Sequence, residues 1–228
     1  MINVDELKQV LSVDINDASY YELALTHPSC NGDAKTKHND YQRLEFMGDA
    51  VLGFVCGDLV YKNHPDMGEG LLSKLRSYLV RKESLSNYAR KMHLEKFIKV
   101  GHSISKNSIV ASNNILEDVF EALVGAIYLD KGFEVVYNYL KNILLHYILN
   151  TDIDVLTDYK SKLQELMQSE QRDAVTYETV DETGPAHDKT FTVNVLLDGI
   201  VLGSGVGKSK KEAEQKAAKS ALEKGIKN

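Results

Sequence analysis

The chain has 228 residues, of which 43% are hydrophobic and 26% charged, and its formal net charge at pH 7 is −6. This length suits one large domain or a medium domain followed by a small one, and the composition excludes a disordered or repetitive chain. No apolar run approaches the roughly 18 residues of a membrane span, and two cysteines, Cys30 and Cys56, are too few for a disulfide framework. With no signal peptide evident, these features predict a cytoplasmic protein without a membrane partner.

The average charge hides an asymmetry along the chain. Residues 1–158 hold 16 Lys and Arg against 22 Asp and Glu, whereas residues 159–228 hold 11 of each. Within the second part, residues 208–228 carry seven lysines and three glutamates. An acidic front suits a metal–carboxylate site, and a basic end suits contact with a polyanion.

Apolar residues recur at helical spacing from the start of the chain to about Asn150, and no stretch there alternates as a strand would. The pattern predicts an all-α domain over residues 1–150, with breaks at positions such as Pro28, Pro65 and Gly132. The predicted helices are Val4–Leu11, Tyr20–Thr26, Tyr41–Tyr61, Leu71–Met92, Ile115–Leu129 and Phe133–Leu149.

The pattern changes after this point. Residues 151–157 are rich in aspartate and short of packing residues, which predicts a linker. Residues 158–228 then predict a small α+β domain of order α-β-β-β-α, in which two helices pack on one face of an antiparallel sheet. Its predicted elements are the helix Tyr159–Glu170, the strands Val175–Val180, Thr190–Leu197 and Val201–Val206, and the helix Lys210–Lys224.

Two pairs of carboxylates lie in apolar stretches of the first domain. Glu45 and Asp49 are spaced i, i+4 and share a helix face with Gln42, while Asp118 and Glu121 are spaced i, i+3. Like charges on adjacent turns of an apolar helix need compensation, and a divalent cation supplies it most simply. Oxygen ligands favour Mg²⁺ or Mn²⁺, the ions that suit phosphodiester hydrolysis. Either pair alone is more often a surface feature or the partner of a cation such as Arg43.

Three blocks of sequence resemble the ribonuclease III family in that family's own order. Residues 42–52 read QRLEFMGDAVL, which is similar to the family signature, and residues 24–29 and 116–126 read ALTHPS and LEDVFEALVGA. The resemblance covers essentially the whole chain. It implies a double-strand-specific endoribonuclease that leaves 5′-phosphate and 3′-hydroxyl ends, acts as a homodimer, and processes ribosomal and other RNA.

The resemblance also implies roles for particular residues. Glu45, Asp49, Asp118 and Glu121 match the metal-site carboxylates, with Asp49 and Glu121 taken as catalytic. Glu69 matches an acidic position near the cleavage valley. Phe46 matches an aromatic residue at the dimer interface, although an ordinary core phenylalanine would fit the sequence equally well. Gln42 departs from the family, which usually has glutamate there, and glutamine brings no charge.

The second domain carries three blocks that resemble the contact regions of a double-stranded RNA-binding domain. A-form RNA is recognised by its shape through 2′-hydroxyls and phosphates, and lysines at a helix N-terminus can hold phosphates. These blocks lie on the first helix, on the loop between the first two strands, and at the start of the last helix. The predicted RNA contacts are Gln164, Gln168, His187, Lys208, Lys210 and Lys211.

Residues 203–209 read GSGVGKS and look like a phosphate-binding loop. That motif requires glycine five positions before Gly207, where this chain has Leu202. We therefore predict no nucleotide cofactor.

These features favour a magnesium-dependent endonuclease of double-stranded RNA, with Mn²⁺ able to substitute. One rival is a non-catalytic protein that binds double-stranded RNA on the same fold, which Gln42 favours and the retained carboxylates oppose. A second is a protein–protein adaptor, which the basic RNA-facing blocks oppose.

Overall fold

The computed structural model describes residues 3–31, 39–101, 105–170, 172–185 and 188–225. The chain divides into two compact units, Met1–Leu156 and Thr157–Asn228, each with its own hydrophobic core. Across the described ranges, no helix is long and apolar enough to cross a membrane. Cys30 and Cys56 are free thiols.

The first unit is helical, as the periodicity predicted. Short 3-10 turns at Pro28–Asn31 and Leu94–Lys96 lie between its helices, and a third at Ile153–Leu156 follows its last helix, inside the predicted linker. Its helices are α1 (Val4–Leu11), α2 (Ala18–Ala24), α3 (Gln42–Asn63), α4 (Glu69–Leu79), α5 (Lys82–Lys91), α6 (Lys106–Ala111), α7 (Asn113–Lys131) and α8 (Phe133–Asn150).

Helix α7 is the centre of this unit. From Val119 to Ile127 all but one of its side chains are buried, and α2, α3, α5 and α8 pack around it. A helix that is apolar on nearly every side must be surrounded by other elements. The exception is Glu121, which lies where α7 meets α3.

The prediction of one helix over Leu71–Met92 is wrong, because α4 ends at Leu79 and α5 begins at Lys82. The apolar period continues across the break, so the pattern alone does not reveal it. Tertiary contacts satisfy the carbonyls at the end of α4: the Ser84 hydroxyl donates to the Tyr78 carbonyl at 2.7 Å, and the Tyr88 hydroxyl donates to the Leu79 carbonyl at 3.3 Å. These side chains stabilise a helix end that would otherwise leave carbonyls unpaired.

The second unit has the predicted α-β-β-β-α order. Helix α9 (Tyr159–Ser169) precedes a three-stranded antiparallel sheet of β1 (Thr176–Thr183), β2 (Thr190–Leu197) and β3 (Ile200–Gly207), and helix α10 (Lys210–Lys224) follows. Both helices and β2 contribute side chains to one hydrophobic core, whose buried residues include Leu163, Val193 and Ala217.

The glycines of the segment 203–209, which is similar to a phosphate-binding loop, allow close packing of α10 on β3. A Cβ at Gly203 would lie 2.5 Å from the backbone of Ala217, and one at Gly205 would lie 2.3 Å from it. Gly207 would similarly meet Ala213 at 2.7 Å. Alternate glycines in a strand therefore face a helix rich in alanine, and their backbone is covered by protein rather than open to a phosphate.

Candidate active site

Helices α3 and α7 touch backbone to backbone at two glycines. A Cβ on Gly48 would lie 1.7 Å from the carbonyl oxygen of Glu121, and one on Gly125 would lie 2.3 Å from that of Leu44. No other residue type could occupy either position without separating the helices. This contact places the turn of α3 with Glu45 and Asp49 beside the turn of α7 with Asp118 and Glu121.

The four carboxylates form a cluster at this contact and act on one another electrostatically. Burial, followed by the charges of Asp49, Glu117, Glu45 and Asp118, raises the pKa of Glu121 to about 8. Burial, followed by Asp118 and other acidic neighbours, also raises the pKa of Glu45. Like charges held together in partly buried positions disfavour ionisation, so the cluster has negative charge that its surroundings do not fully compensate.

Cationic compensation is concentrated at one edge of the cluster. Lys82 lies 3.7 Å from the carboxylate of Glu117, and its charge counteracts the burial that raises the pKa of Glu117. Burial raises the pKa of Asp118 as well, opposed first by a hydrogen bond from Tyr41 and then by His27 and Lys82. Within the described part of the chain, the groups that shift the pKa of Glu45 or Glu121 include no cation.

The donor chemistry of this cluster fits a hard divalent cation. All four side chains offer carboxylate oxygens, which Mg²⁺ and Mn²⁺ prefer. Among the residues that the structure describes, no three acidic, histidine or cysteine side chains already converge as a metal site. Mutual repulsion opposes such convergence, and a bound cation would remove that opposition. Charge and donor type therefore support metal binding, although the carboxylates do not form a finished ligand set.

The three remaining predicted residues of this unit occupy different places. Gln42 is the exposed first residue of α3, and its backbone N–H donates to the Asp40 carboxylate at 3.0 Å. Glu69 is the exposed first residue of α4 and accepts a hydrogen bond from the Ser73 hydroxyl; it is not among the groups that raise the pKa of Glu45 or Glu121. Phe46 is 78% exposed, so it is not a core residue of its own unit.

The predicted RNA contacts of the second unit lie on α9 and at the start of α10. Gln164 is partly buried and Gln168 exposed on α9, and His187 lies outside the described residues. The Ser209 hydroxyl caps α10 by accepting from the Glu212 N–H at 3.2 Å. Lys208, Lys210 and Lys211 are all exposed around this helix start.

One of these lysines is engaged within the protein. The Lys208 amine lies 2.7 Å from an Asp188 carboxylate oxygen, and its backbone N–H donates to Glu212. The Lys210 amine lies 5.9 Å from the centre of the Phe191 ring. Lys210 and Lys211 therefore present charge at a helix N-terminus, where anions are favoured.

Three residues important to the site's geometry were not singled out by sequence reasoning. Gly48 and Gly125 set the approach of the helices, and glycine inside an apolar helical pattern is the signal that could have found them. Tyr41 donates from its hydroxyl to Asp118 Oδ2 at 2.9 Å across 77 positions of sequence. No local pattern connects residues so far apart.

Comparison with known proteins identifies both units. A family model described as Ribonuclease-III-like matches residues 17–148, and one described as Double-stranded RNA binding motif matches residues 159–224. The Ribonuclease 3 of Streptococcus pneumoniae (strain Taiwan19F-14) is 42% identical over 223 residues, covering 96% of this chain and 95% of the relative.

The chain belongs to the ribonuclease III family. The Ribonuclease 3 of Streptococcus gordonii is similar at 44% identity, covering 91% of this chain and 90% of that protein. The nuclease domain of ribonuclease III from Campylobacter jejuni is 34% identical with a TM-score of 0.59, covering 67% of this chain and all of that one. A second structure of that domain, described for flexibility in a region involved in dimer formation, has a TM-score of 0.58 at 34% identity and covers 63% of this chain and 97% of that one.

Family membership confirms the prediction of a ribonuclease III endonuclease that acts on double-stranded RNA. The rival interpretations, a binding-only protein and an adaptor, are accordingly set aside. The fold class is confirmed as well, since both family models match units of the predicted types.

Proposed function

We propose that this enzyme hydrolyses double-stranded RNA with Mg²⁺ held by Glu45, Asp49, Asp118 and Glu121, and that Mn²⁺ can substitute. The observation that carries the proposal is the cluster at the α3–α7 contact, where burial, followed by like charges, raises the pKa of Glu121 to about 8. A divalent cation would offset the repulsion among these carboxylates, lower the raised pKa values and bind the ionised oxygens.

When bound, the ion supplies a water of lowered pKa and offsets charge on the leaving oxygen. Glu45, Asp49, Asp118 and Glu121 would hold it, and we assign the catalytic roles to Asp49 and Glu121. Water forms a bond to phosphorus and loses a proton to solvent, the bond from phosphorus to the 3′ oxygen breaks, and that oxygen takes a proton from solvent. The products carry 5′-phosphate and 3′-hydroxyl ends.

The second unit positions the duplex for this reaction. We propose that Gln164 and Gln168 face the minor groove, that His187 is a further RNA contact, and that Lys208, Lys210 and Lys211 hold phosphates. This arrangement reads the shape of A-form RNA rather than its sequence. We further propose cytoplasmic action on structured transcripts, ribosomal RNA precursors included, an assignment that rests on the family resemblance.

Incubation of the protein with a long RNA duplex tests the proposal. Cleavage is expected with Mg²⁺ or Mn²⁺ and not with EDTA, and single-stranded RNA of the same sequence serves as the control substrate. Product ends should accept a labelled phosphate at the 5′ position only after phosphatase treatment. Products ending in 3′-phosphate or cyclic phosphate, or cleavage that continues in EDTA, would contradict the proposed chemistry.

We also propose that the enzyme is a homodimer in which Phe46 contacts the partner subunit. Phe46 is 78% exposed at the start of α3, and Phe54 and Tyr61 of the same helix are exposed as well, so this helix carries several unburied aromatic side chains. The similar Campylobacter nuclease domain has a region involved in dimer formation. For Glu69 we propose a separate role, as an acidic residue near the cleavage valley.

Phe46→Glu should convert the dimer into a monomer. The substitution would bury an unpaired charge on both sides of a two-fold interface, at a cost of about 3–5 kcal/mol. Sedimentation at micromolar concentration measures the change. Val180→Glu, at an exposed apolar residue of the second unit, is the control and should leave the dimer intact. Monomeric wild-type protein at that concentration would refute the proposal.

Gln42→Glu should lower the Mg²⁺ concentration needed for half-maximal cleavage while leaving the rate at saturating metal similar. A glutamate at the start of α3 adds negative charge close to Glu45, and outer-shell residues typically change metal affinity by about tenfold or more. Mg²⁺ titrations of both proteins measure the shift. Gln9→Glu makes the same change on an exposed face of α1 and should have no effect. Superimposable curves for wild type and Gln42→Glu would show that position 42 does not influence the metal.

A further inference from the structure

Tyr41 connects the two helices that carry the carboxylates. Its side chain is 3% exposed, and its hydroxyl donates to Asp118 Oδ2 on α7 at 2.9 Å. Its own carbonyl accepts the N–H of Glu45 at 2.9 Å, in the first turn of α3. One residue therefore begins the helix that carries Glu45 and Asp49 and also contacts a carboxylate of the other helix.

The Tyr41 ring is itself braced by a neighbouring segment. The backbone N–H of Tyr41 donates to the Thr26 carbonyl at 3.0 Å. The His27 ring packs edge-on against the phenol ring, with 5.6 Å between the ring centroids. The Ser29 N–H donates to His27 Nδ1 at 3.0 Å. The Gly101 N–H donates to the Ser29 hydroxyl oxygen at 2.8 Å.

Gly101 fits this brace closely. A Cβ at that position would lie 2.1 Å from the Ser29 carbonyl oxygen. The contacts from Gly101 through Ser29 and His27 to Tyr41 leave the phenol little freedom to turn away from Asp118. A buried ring held on several sides is a precise support for the group that it contacts.

A phenol suits this position for a chemical reason. A lysine or arginine beside Asp118 would neutralise the carboxylate and compete with a metal cation for it. The Tyr41 hydroxyl instead fixes the orientation of one carboxylate oxygen and leaves the negative charge available. Hydrogen-bond donors of this kind commonly orient the ligands of a metal and tune its affinity.

We propose that Tyr41 is a positioning residue that orients Asp118 for metal binding, with His27 and Ser29 bracing its ring. This inference rests on the proposed function, because it requires Asp118 to be a metal ligand. It adds a hydrogen-bonded support outside the four carboxylates, built from the segment before α3.

Tyr41→Phe tests the proposal, since it removes the hydroxyl and keeps the ring. We expect Mn²⁺ binding to full-length, RNA-free protein, measured by electron paramagnetic resonance, to weaken by about tenfold. The Mg²⁺ concentration for half-maximal cleavage should rise by a similar factor, with the rate at saturating metal close to wild type. Duplex binding in EDTA should not change.

Tyr139→Phe is the matched control. Tyr139 is 7% exposed in the same unit, and its hydroxyl contacts Met92 Sδ at 3.7 Å, away from the carboxylates. Its loss should leave Mn²⁺ affinity unchanged. Ser29→Ala removes part of the brace and keeps the phenol, so it should shift Mn²⁺ affinity in the same direction by less.

The outcomes separate this inference from the proposed function. Equal Mn²⁺ affinity in wild type and Tyr41→Phe, with an active wild type, overturns the positioning role alone. Equal weakening in Tyr41→Phe and Tyr139→Phe also overturns it, because that result indicates a general effect of losing a buried hydroxyl. A wild-type protein that does not cleave duplex RNA in Mg²⁺ or Mn²⁺ overturns the proposed function instead.

Discussion

Glu121→Gln should abolish cleavage of double-stranded RNA and leave duplex binding largely intact. Glu121 lies at the α3–α7 contact, and burial, followed by the charges of four other carboxylates, raises its pKa. Glutamine keeps the size of the side chain but loses the charge that a divalent cation requires. A metal site contributes several kcal/mol to phosphodiester hydrolysis, and a loss of about 4 kcal/mol corresponds to about a thousandfold in rate. Single-turnover cleavage in Mg²⁺ and duplex binding in EDTA measure the two effects.

Glu117→Gln is the matched control for this prediction. It makes the same change on α7 at a residue that pairs with Lys82 at 3.7 Å, and it should keep most of the activity. Cleavage by Glu121→Gln at a rate near that of wild type would show that Glu121 does not serve the reaction.

Thermal unfolding in EDTA shows whether the inactive Glu121→Gln protein is still folded. Because the pKa of Glu121 rises from 4.5 to about 8 on folding, its ionised form destabilises the folded protein. That destabilisation grows as the pH increases from about 4.5 to 8 and is fully present above 8. The Glu121→Gln protein lacks this destabilisation. Its melting temperature should therefore exceed that of wild type by several degrees at pH 8 and by little at pH 5. A lower melting temperature at both pH values would attribute lost activity to lost structure.

Lys210→Ala combined with Lys211→Ala should weaken duplex binding by about tenfold to a hundredfold at moderate salt. Both lysines are exposed at the start of α10, where helix dipole and side-chain charge together favour phosphate. Each lost phosphate contact lowers the slope of log affinity against log salt by about one, so the slope should fall by about two. Binding across a salt titration in EDTA measures both quantities.

The control removes the same charge from other turns of the same helix. Lys216→Ala with Lys224→Ala takes two lysines from the middle and end of α10, and Lys216 already pairs with Glu212 at 2.7 Å. This variant should keep most of the affinity and nearly all of the salt slope. Equal losses in the two double variants would mean that α10 contributes only through its total charge.

Helix and strand positions could be predicted wherever local signals decide them. The observed bounds of α1, β2 and α10 coincide with the predicted ones, because periodicity and capping residues act over a few positions. The break between α4 and α5 could not be predicted, since the apolar period continues through it. The Ser84 and Tyr88 hydroxyls that satisfy the end of α4 act only once the two helices have packed together.

The exposure of Phe46 illustrates the same limit. Helical spacing predicted neither a core nor a surface position for it, because both readings fit an apolar residue on an amphipathic helix. The packing of α3 on α7 determines the exposure of Phe46, because it buries Leu44 and Gly48 of the same turn against α7. Phe46 was left 78% exposed.

The sequence by itself determined the two domain types and the spacing of each carboxylate pair, because i, i+3 and i, i+4 neighbours share a helix face whatever the tertiary structure. Only the tertiary structure decided that the pairs meet. Their meeting depends on the backbone contact at Gly48 and Gly125 and on the hydrogen bond from Tyr41 to Asp118 across 77 positions. Residues so distant in sequence leave no periodic signal, since their distance is set by how two helices cross.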